Sequence, residues 1–402
     1  MTAPFRNLLA MNDAKPDTIL THAGSSPFEQ HGIVNPPVYH ASTVLFPTLA
    51  ALEAADANPF EVVNYGRIGT PTSFAFERAV AELEGGYRAV TAASGLAAIA
   101  TALLAFTKAG DHVLITDTAY GPTRRFANET LGRYGVSVDY YDPCIGAGID
   151  ALIRPETSVV YLESPGSLTF EVQDVPAIAA AAKRAGATVL MDNTWATPLY
   201  FRPFDHGVDV SIHAATKYIV GHSDAMLGLM VCNQASWETV KRAAVRCGTA
   251  AGPDDIYLGL RGLRTLGVRL KRHGEAGLAL ADWLSRQPEV VRVLHPARPG
   301  DSGHALWRRD FTGTSGLFAV VLEPCAKSAV AALLDHLELF GLGYSWGGFE
   351  SLALPVHPGR VRSATGWSDP GPLLRFHAGL EDIDDLIRDL DAGFARLRHA
   401  RR

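Results

Sequence analysis

Between residues 89 and 233 the chain alternates short apolar runs with stretches of helical spacing. The runs are AVTAAS (89–94), HVLITD (112–117), SVDYYD (137–142), SVVYLES (158–164), ATVLMDN (187–193), DVSIHA (209–214) and GLMVCN (228–233). Several are apolar almost without a break, the pattern of strands covered on both faces. The clearest helix between them is DVPAIAAAAKRAG, with Pro176 in its first turn and Gly186 past its end. Strands alternating with helices predict an α/β domain around a mostly parallel seven-stranded sheet.

The flanks differ. The first sixty or so residues lack this rhythm and read as an arm that wraps another part of the protein or a partner. After about residue 255 comes one long helical pattern, DDIYLGLRGLRTLGVRLKRHGEAGLALADWLSRQ, then further strands (GLFAVVLEP and LLRFHAGL) and a last helix from Glu381. Acids in the first turn and arginines in the last turn of that helix suit its dipole. The expected organisation is an arm over 1–64, a large α/β domain over 65–255 and a smaller α+β domain over 256–402. Ala89 to Thr107 carries no charge and is long enough to be weighed as a membrane span. Its Ser94-Gly95 pair and many alanines fit a buried strand, a turn and a buried helix better.

Composition narrows the partners. The chain has 402 residues, 19% charged and 47% hydrophobic, an ordinary globular balance. A net charge of -6 offers no basic field for a phosphate backbone, so nucleic acid is not expected as a partner. The basic end RLRHARR reads as a solvated helix end. Cys144, Cys232, Cys247 and Cys325 form no CxxC pair, so neither a disulfide framework nor a zinc site is implied, and a reducing cytoplasm is expected. The N-terminal segment MTAPFRNLLAMNDAKPD has no long apolar core, unlike a secretory signal.

Dinucleotide, P-loop and HExxH motifs are absent, and His206, His213 and His222 lack metal-ligand spacing. Three features remain at predicted strand ends, where open α/β sheets bind ligands. Ser94-Gly95-Leu96 opens a helix, so its N–H groups suit a phosphate, or Ser94 only caps that helix. Asp192 ends a very apolar strand and needs a cation or a donor, which a salt bridge within the fold would also supply. Lys217 follows the next strand and can form a Schiff base with a carbonyl if kept partly neutral, or it is an ordinary surface lysine. Phosphate, a ring nitrogen needing a counter-acid and an aldehyde carbon together describe pyridoxal phosphate better than a nucleotide.

GYSWGG (343–348) complicates this, because G-x-S-x-G around Ser345 is the nucleophile elbow of serine hydrolases. Asp369 and His377 follow in the order that fold uses. An elbow needs a helix after the turn, whereas GFESLALPVHPGR holds two prolines and reads as strand and loop.

Eight blocks carry a resemblance across nearly the whole chain: YGRIGTPT (65–72), SGLAA (94–98), ESPGS (163–167), MDNTWATP (191–198), SIHAATKYIVGHSDAMLG (211–228), RGLRTLGVRL (261–270), YSWGGFESL (344–352) and LLRFHAGLEDIDDLIRDLDAGFARL (373–397). In this order they resemble the Cys/Met-metabolism family of fold-type I pyridoxal-phosphate enzymes, and within it the cystathionine β-lyase branch. The resemblance implies that Lys217 carries pyridoxal 5'-phosphate as a Schiff base and acts as the catalytic base. It implies that Asp192 holds the ring nitrogen protonated and that Tyr120 stacks on the ring. Gly95 and Leu96 amides and the Thr216 hydroxyl would hold the phosphate. Tyr65 and Arg67 would reach the phosphate of a neighbouring subunit, in a homotetramer built as a dimer of dimers. Arg375, with Ser345 and the Trp346 backbone, would bind the substrate carboxylate. One departure is Ala214, where much of the family has a serine that adds a phosphate contact; similar β-lyases tolerate alanine there.

The reaction so implied is β-elimination of L-cystathionine to homocysteine, pyruvate and ammonia, with other cysteine S-conjugates as compatible substrates. The γ-specific relatives (cystathionine γ-lyase, methionine γ-lyase and cystathionine γ-synthase) share Lys217, Asp192 and Arg375. They differ in the loop holding Ser345 and Trp346, whose aromatic residue favours the β-specific branch.

Overall fold

The structure is a computed structural model that describes residues 14–401. The first thirteen residues of the expected arm, and with them most of the segment weighed as a secretory signal, lie outside the described residues. All seven apolar runs of the middle region form strands: β1 (Arg88–Ala92), β2 (His112–Thr116), β3 (Ser137–Tyr141), β4 (Thr157–Glu163), β5 (Thr188–Asp192), β6 (Val210–His213) and β7 (Gly228–Cys232). They make one sheet in the order β1-β7-β6-β5-β4-β2-β3. Only β7 runs against its neighbours, β1 and β6; the other pairings are parallel.

Both faces are covered, which is why alternation is hard to see in the sequence. Val113, Ile115, Val159, Tyr161, Leu190 and Ile212 pack with the helices Gly95–Ala105 and Trp237–Cys247. Leu114, Val160, Leu162 and Met191 point the other way, onto the helix Val175–Arg184. Each such side chain contributes roughly 1.5–3 kcal/mol by leaving water. The uncharged stretch from Ala89 becomes β1, a turn and an eleven-residue helix. No helix among the described residues is long and apolar enough to cross a membrane.

The arm holds more structure than its sequence suggests. Helices span Pro16–His22 and Leu49–Ala57. Ile19 and Leu20 of the first are buried beside Phe76 and Val80. Much of the rest offers apolar side chains to solvent: Leu45 is 88% exposed and Phe28 78%.

A second sheet follows: β8 (Val290–Leu294), β9 (Leu317–Leu322), β10 (Phe340–Gly341), β11 (Ser351–Val356) and β12 (Leu373–His377), in the order β10-β11-β12-β9-β8. Period-2 alternation decides what each face does. Phe318, Val320, Leu374 and Phe376 are buried with Leu386, Leu390 and Phe394 of the last helix, Ile383–Ala400. Leu317, Ala319, Val321 and Leu373 face the core of the first sheet. Arg375 and His377 share that second face, because they pair with Ala319 and Leu317.

The long helical pattern is two helices, Pro253–Leu263 and Leu266–Leu284, not one. The break has a tertiary cause. Arg269 donates to the carbonyl of Gly262 at 2.7 Å and to that of Tyr218 at 2.8 Å. Thr265 N–H turns to the same Gly262 carbonyl at 3.1 Å, three residues back, which tightens the chain out of the α ladder. Leu266 and Leu270 then join the core of Phe76 and Val80. Ala276, Leu280, Ala281 and Leu284 join that of Phe318 and Phe376.

Candidate active site

Parallel strands deliver their carboxyl ends to one edge of the sheet, and there β4 ends in Glu163 and β5 in Asp192. The two acids are register partners on adjacent strands. Both are buried. No ion pair to Asp192 forms among the described residues, and its one backbone donor is Thr194 N–H at 2.9 Å. Burial raises the Asp192 carboxyl above its ordinary range, against the pull of Thr194, His213 and Lys217. Burial, and then the Asp192 charge, push Glu163 well above it. Two such neighbours resist ionising together. A protonated pyridine nitrogen set against Asp192 relieves that conflict, so these residues fit the ring of pyridoxal phosphate.

Lys217 lies in the loop after β6 and is partly buried. Burial, then the nearby Arg375 charge, lower its amine from 10.5 to about 8, while Asp192 opposes the change. At pH 7 about one such amine in ten is neutral, against roughly one in three thousand for free lysine. Its Nζ donates to Ser345 Oγ at 2.5 Å and sits 5.4 Å from the centre of the Trp346 ring. Arg375 reaches the same residue, donating to the Ser345 carbonyl at 2.9 Å. Burial brings its guanidinium down to about 10.

The turn that makes this meeting possible is strained. Ser345 has φ +78°, a left-handed conformation that costs a residue with a β-carbon roughly 1–3 kcal/mol. Gly347, with φ +84°, needs its missing side chain: a Cβ there would lie 2.8 Å from Tyr218 N and 3.0 Å from Lys217 C. The turn is therefore pressed against the backbone that carries Lys217.

Tyr120 enters from the loop after β2, its N–H donating to Glu163 Oε2 at 2.7 Å. Burial, then Glu163 and Asp192, raise its phenol, while Arg375 opposes them. At the phosphate end, Ser94 Oγ does cap the helix Gly95–Ala105, accepting from Ala97 N–H at 3.1 Å. The first-turn amides of Gly95 and Leu96 have no acceptor within the helix and stay available for an anion. Gly95 is a close fit, since a Cβ there would lie 2.5 Å from that of Ala214. The Thr216 hydroxyl accepts from Leu227 N–H at 2.9 Å and donates to the Leu227 carbonyl at 3.2 Å, so a phosphate there would compete with that carbonyl for its proton. This donor set also fits the cofactor.

Tyr65 and Arg67 stand apart. They line a separate cavity with Lys241 and Thr249, and Arg67 donates to the Val245 carbonyl at 2.5 Å. No hydrogen bond or ion pair joins them to Asp192, Lys217 or Arg375 among the described residues. The elbow reading of Ser345 finds no support. The turn runs into the strand β11, Asp369 pairs with Arg292, and His377 contacts Gly347 and Glu350. Sequence reasoning gave no site role to Glu163, although SVVYLES and ATVLMDN both end in an acid followed by a polar residue. It met His377 only as a hydrolase partner.

The chain is similar to known proteins over nearly its whole length. The chain is 51% identical to a putative cystathionine β-lyase of Rhizobium johnstonii over 389 residues, covering 96% of this chain and 97% of that protein. It is 48% identical to the cystathionine β-lyase MetC of Escherichia coli, covering 96% and 100%. A crystal structure of cystathionine γ-synthase from Xanthomonas oryzae pv. oryzae superposes with a TM-score of 0.87 at 32% identity, covering 96% and 99%. Residues 17–395 match the family described as Cys/Met metabolism PLP-dependent enzyme. A buried acid, a lysine of lowered basicity and an open helix N-terminus suit that cofactor, and by this match the chain belongs to that family of pyridoxal-phosphate-dependent enzymes.

Proposed function

We propose that the chain is a carbon–sulfur lyase that cleaves L-cystathionine by β-elimination to homocysteine, pyruvate and ammonia, with other cysteine S-conjugates as further substrates. The observation that carries this is the convergence of Lys217 Nζ and Arg375 Nη2 on Ser345. A base and a carboxylate anchor are thereby held one residue apart. The β-lyases of R. johnstonii and E. coli named above support the β specificity.

Lys217, Asp192, Tyr120, Gly95, Leu96 and Thr216 hold the cofactor in this reading. Bound there, pyridoxal phosphate supplies a sink for the electrons left at the substrate Cα. Arg375 takes the substrate carboxylate in a two-point contact, and Ser345 with the Trp346 backbone fixes its angle. Lys217 would remove the α-proton and return a proton to the departing sulfur. The indole of Trp346 walls the site against water. The released three-carbon enamine takes up water to give pyruvate and ammonia.

The proposal extends to assembly. Tyr65 and Arg67 complete the site of a neighbouring subunit in a tetramer made of two dimers, and the apolar arm around Leu45 supplies contact surface. Residues 65–255 bind the cofactor and 256–402 cover the substrate, in a cytoplasmic protein.

Purified protein with added pyridoxal phosphate and L-cystathionine is expected to yield pyruvate and homocysteine. If 2-oxobutyrate and cysteine form instead, the enzyme is γ-specific and the reading fails. Ser345→Ala is expected to raise KM about three- to tenfold, the size of one hydrogen bond, and to leave kcat within about twofold. A kcat loss as deep as that of a Lys217 variant would make the hydroxyl part of the chemistry.

A further inference from the structure

We infer that His377 is a positioning residue, whose imidazole clamps the Ser345 turn and so sets where Arg375 and Lys217 meet the substrate. The inference rests on the reading of Arg375 as the carboxylate anchor. His377 ends β12, two residues after Arg375 and on the same face, and is buried. Its Nε2 lies 3.1 Å from Gly347 N, and its Nδ1 lies 3.1 Å from the Glu350 carbonyl. A backbone N–H only donates and a carbonyl only accepts. The ring therefore carries its proton on Nδ1 and leaves Nε2 bare. One side chain thus ties the turn at two points three residues apart.

The span it ties is the strained one. Gly347 is the residue pressed on the Lys217–Tyr218 backbone, and Ser345 is the one that receives both Lys217 and Arg375. If Gly347 N–H loses its acceptor, the left-handed Ser345 can relax toward an ordinary conformation. The carbonyl that orients Arg375 then moves. Neighbouring rings brace the imidazole: Tyr218 at 5.8 Å and His273 at 5.1 Å between centres. Burial first, with the nearby Arg375 and Lys217 charges, keeps it neutral against the pull of the Glu350 carbonyl, as the two contacts require.

The test uses the holoenzyme and 3-(methylthio)propanoate, a thioether carboxylate with no α-amino group, so binding is read by calorimetry without reaction. The amide oxygen of His377→Gln occupies the Nε2 position and accepts from Gly347 N–H. His377→Asn is shorter and reaches Glu350 alone. The glutamine variant is expected to bind within about threefold of wild type. The asparagine variant is expected to bind at least tenfold more weakly and to raise the KM for cystathionine with kcat within about threefold. Cofactor absorbance should not change in either. Equal affinity in the two variants overturns the inference. Arg375→Ala separates the two levels: undiminished probe binding there overturns the carboxylate reading itself, whatever His377 does. If neither variant folds, neutron diffraction on the wild-type holoenzyme decides, since hydrogen on Nε2 is incompatible with the clamp.

Discussion

Replacing Lys217 with alanine is expected to remove turnover and the visible absorbance of the bound cofactor together. The two losses share one atom. Among the described residues no other lysine nitrogen meets Ser345, and burial and Arg375 lower the basicity of Lys217 Nζ to about 8. Without it no side-chain amine joins the cofactor aldehyde, and no base stands over Cα. Loss of a positioned base alone lowers rates by about 10²–10⁴-fold, and loss of the covalent attachment deepens that further. Absorbance spectra and pyruvate release on the same preparation measure both. The wild-type protein offers a companion measurement, because only the neutral amine attacks an aldehyde. Recombination of stripped protein with pyridoxal phosphate should speed up about tenfold from pH 6 to pH 7 and level off above about pH 8. Full β-elimination by the alanine variant would remove Lys217 from the mechanism.

Asp192→Asn is the second large effect, and it should look different. Lys217 remains, so the cofactor still attaches and absorbs. What would disappear is the negative charge proposed to keep a proton on the ring nitrogen, and with it the electron demand that would stabilise charge at Cα. A buried electrostatic contact of this kind is worth on the order of 10²–10³-fold in kcat. The same change removes the like charge beside Glu163, so the Glu163 carboxyl should fall back toward its ordinary range although burial still holds it up. Steady-state kcat with retained absorbance is the diagnostic combination. An asparagine variant that turns over at the wild-type rate would leave Asp192 with a purely structural role.

The strands of the first sheet were legible in the sequence because burial on both faces leaves long apolar runs, as in SVVYLES. Their order was not legible, and the order is what sets Glu163 beside Asp192. Lys217, Asp192 and Arg375 were singled out through the motifs around them, and in the fold Lys217 and Arg375 meet at Ser345. His377 was not, because alternation in LLRFH puts it on the face of Arg375, but its partner Gly347 comes from 30 residues earlier. The break between the helices Pro253–Leu263 and Leu266–Leu284 was hidden for the same reason. No helix breaker stands at Arg264 or Thr265, and the chain is bent there by carbonyls that Arg269 gathers from Tyr218 and Gly262. Apolar residues of the arm, such as Phe28 and Leu45, defeat pattern reading in the opposite sense, since they are exposed in the single chain.

The helix Leu266–Leu284 has one end in the core of Phe76 and Val80 and the other in that of Phe318 and Phe376. A chain cut between the two sheets would strip that helix of half its cover, whichever piece kept it. The two sheets are therefore not modules that can be exchanged or made separately. They share a beam, and heat or denaturant should bring both down in one transition.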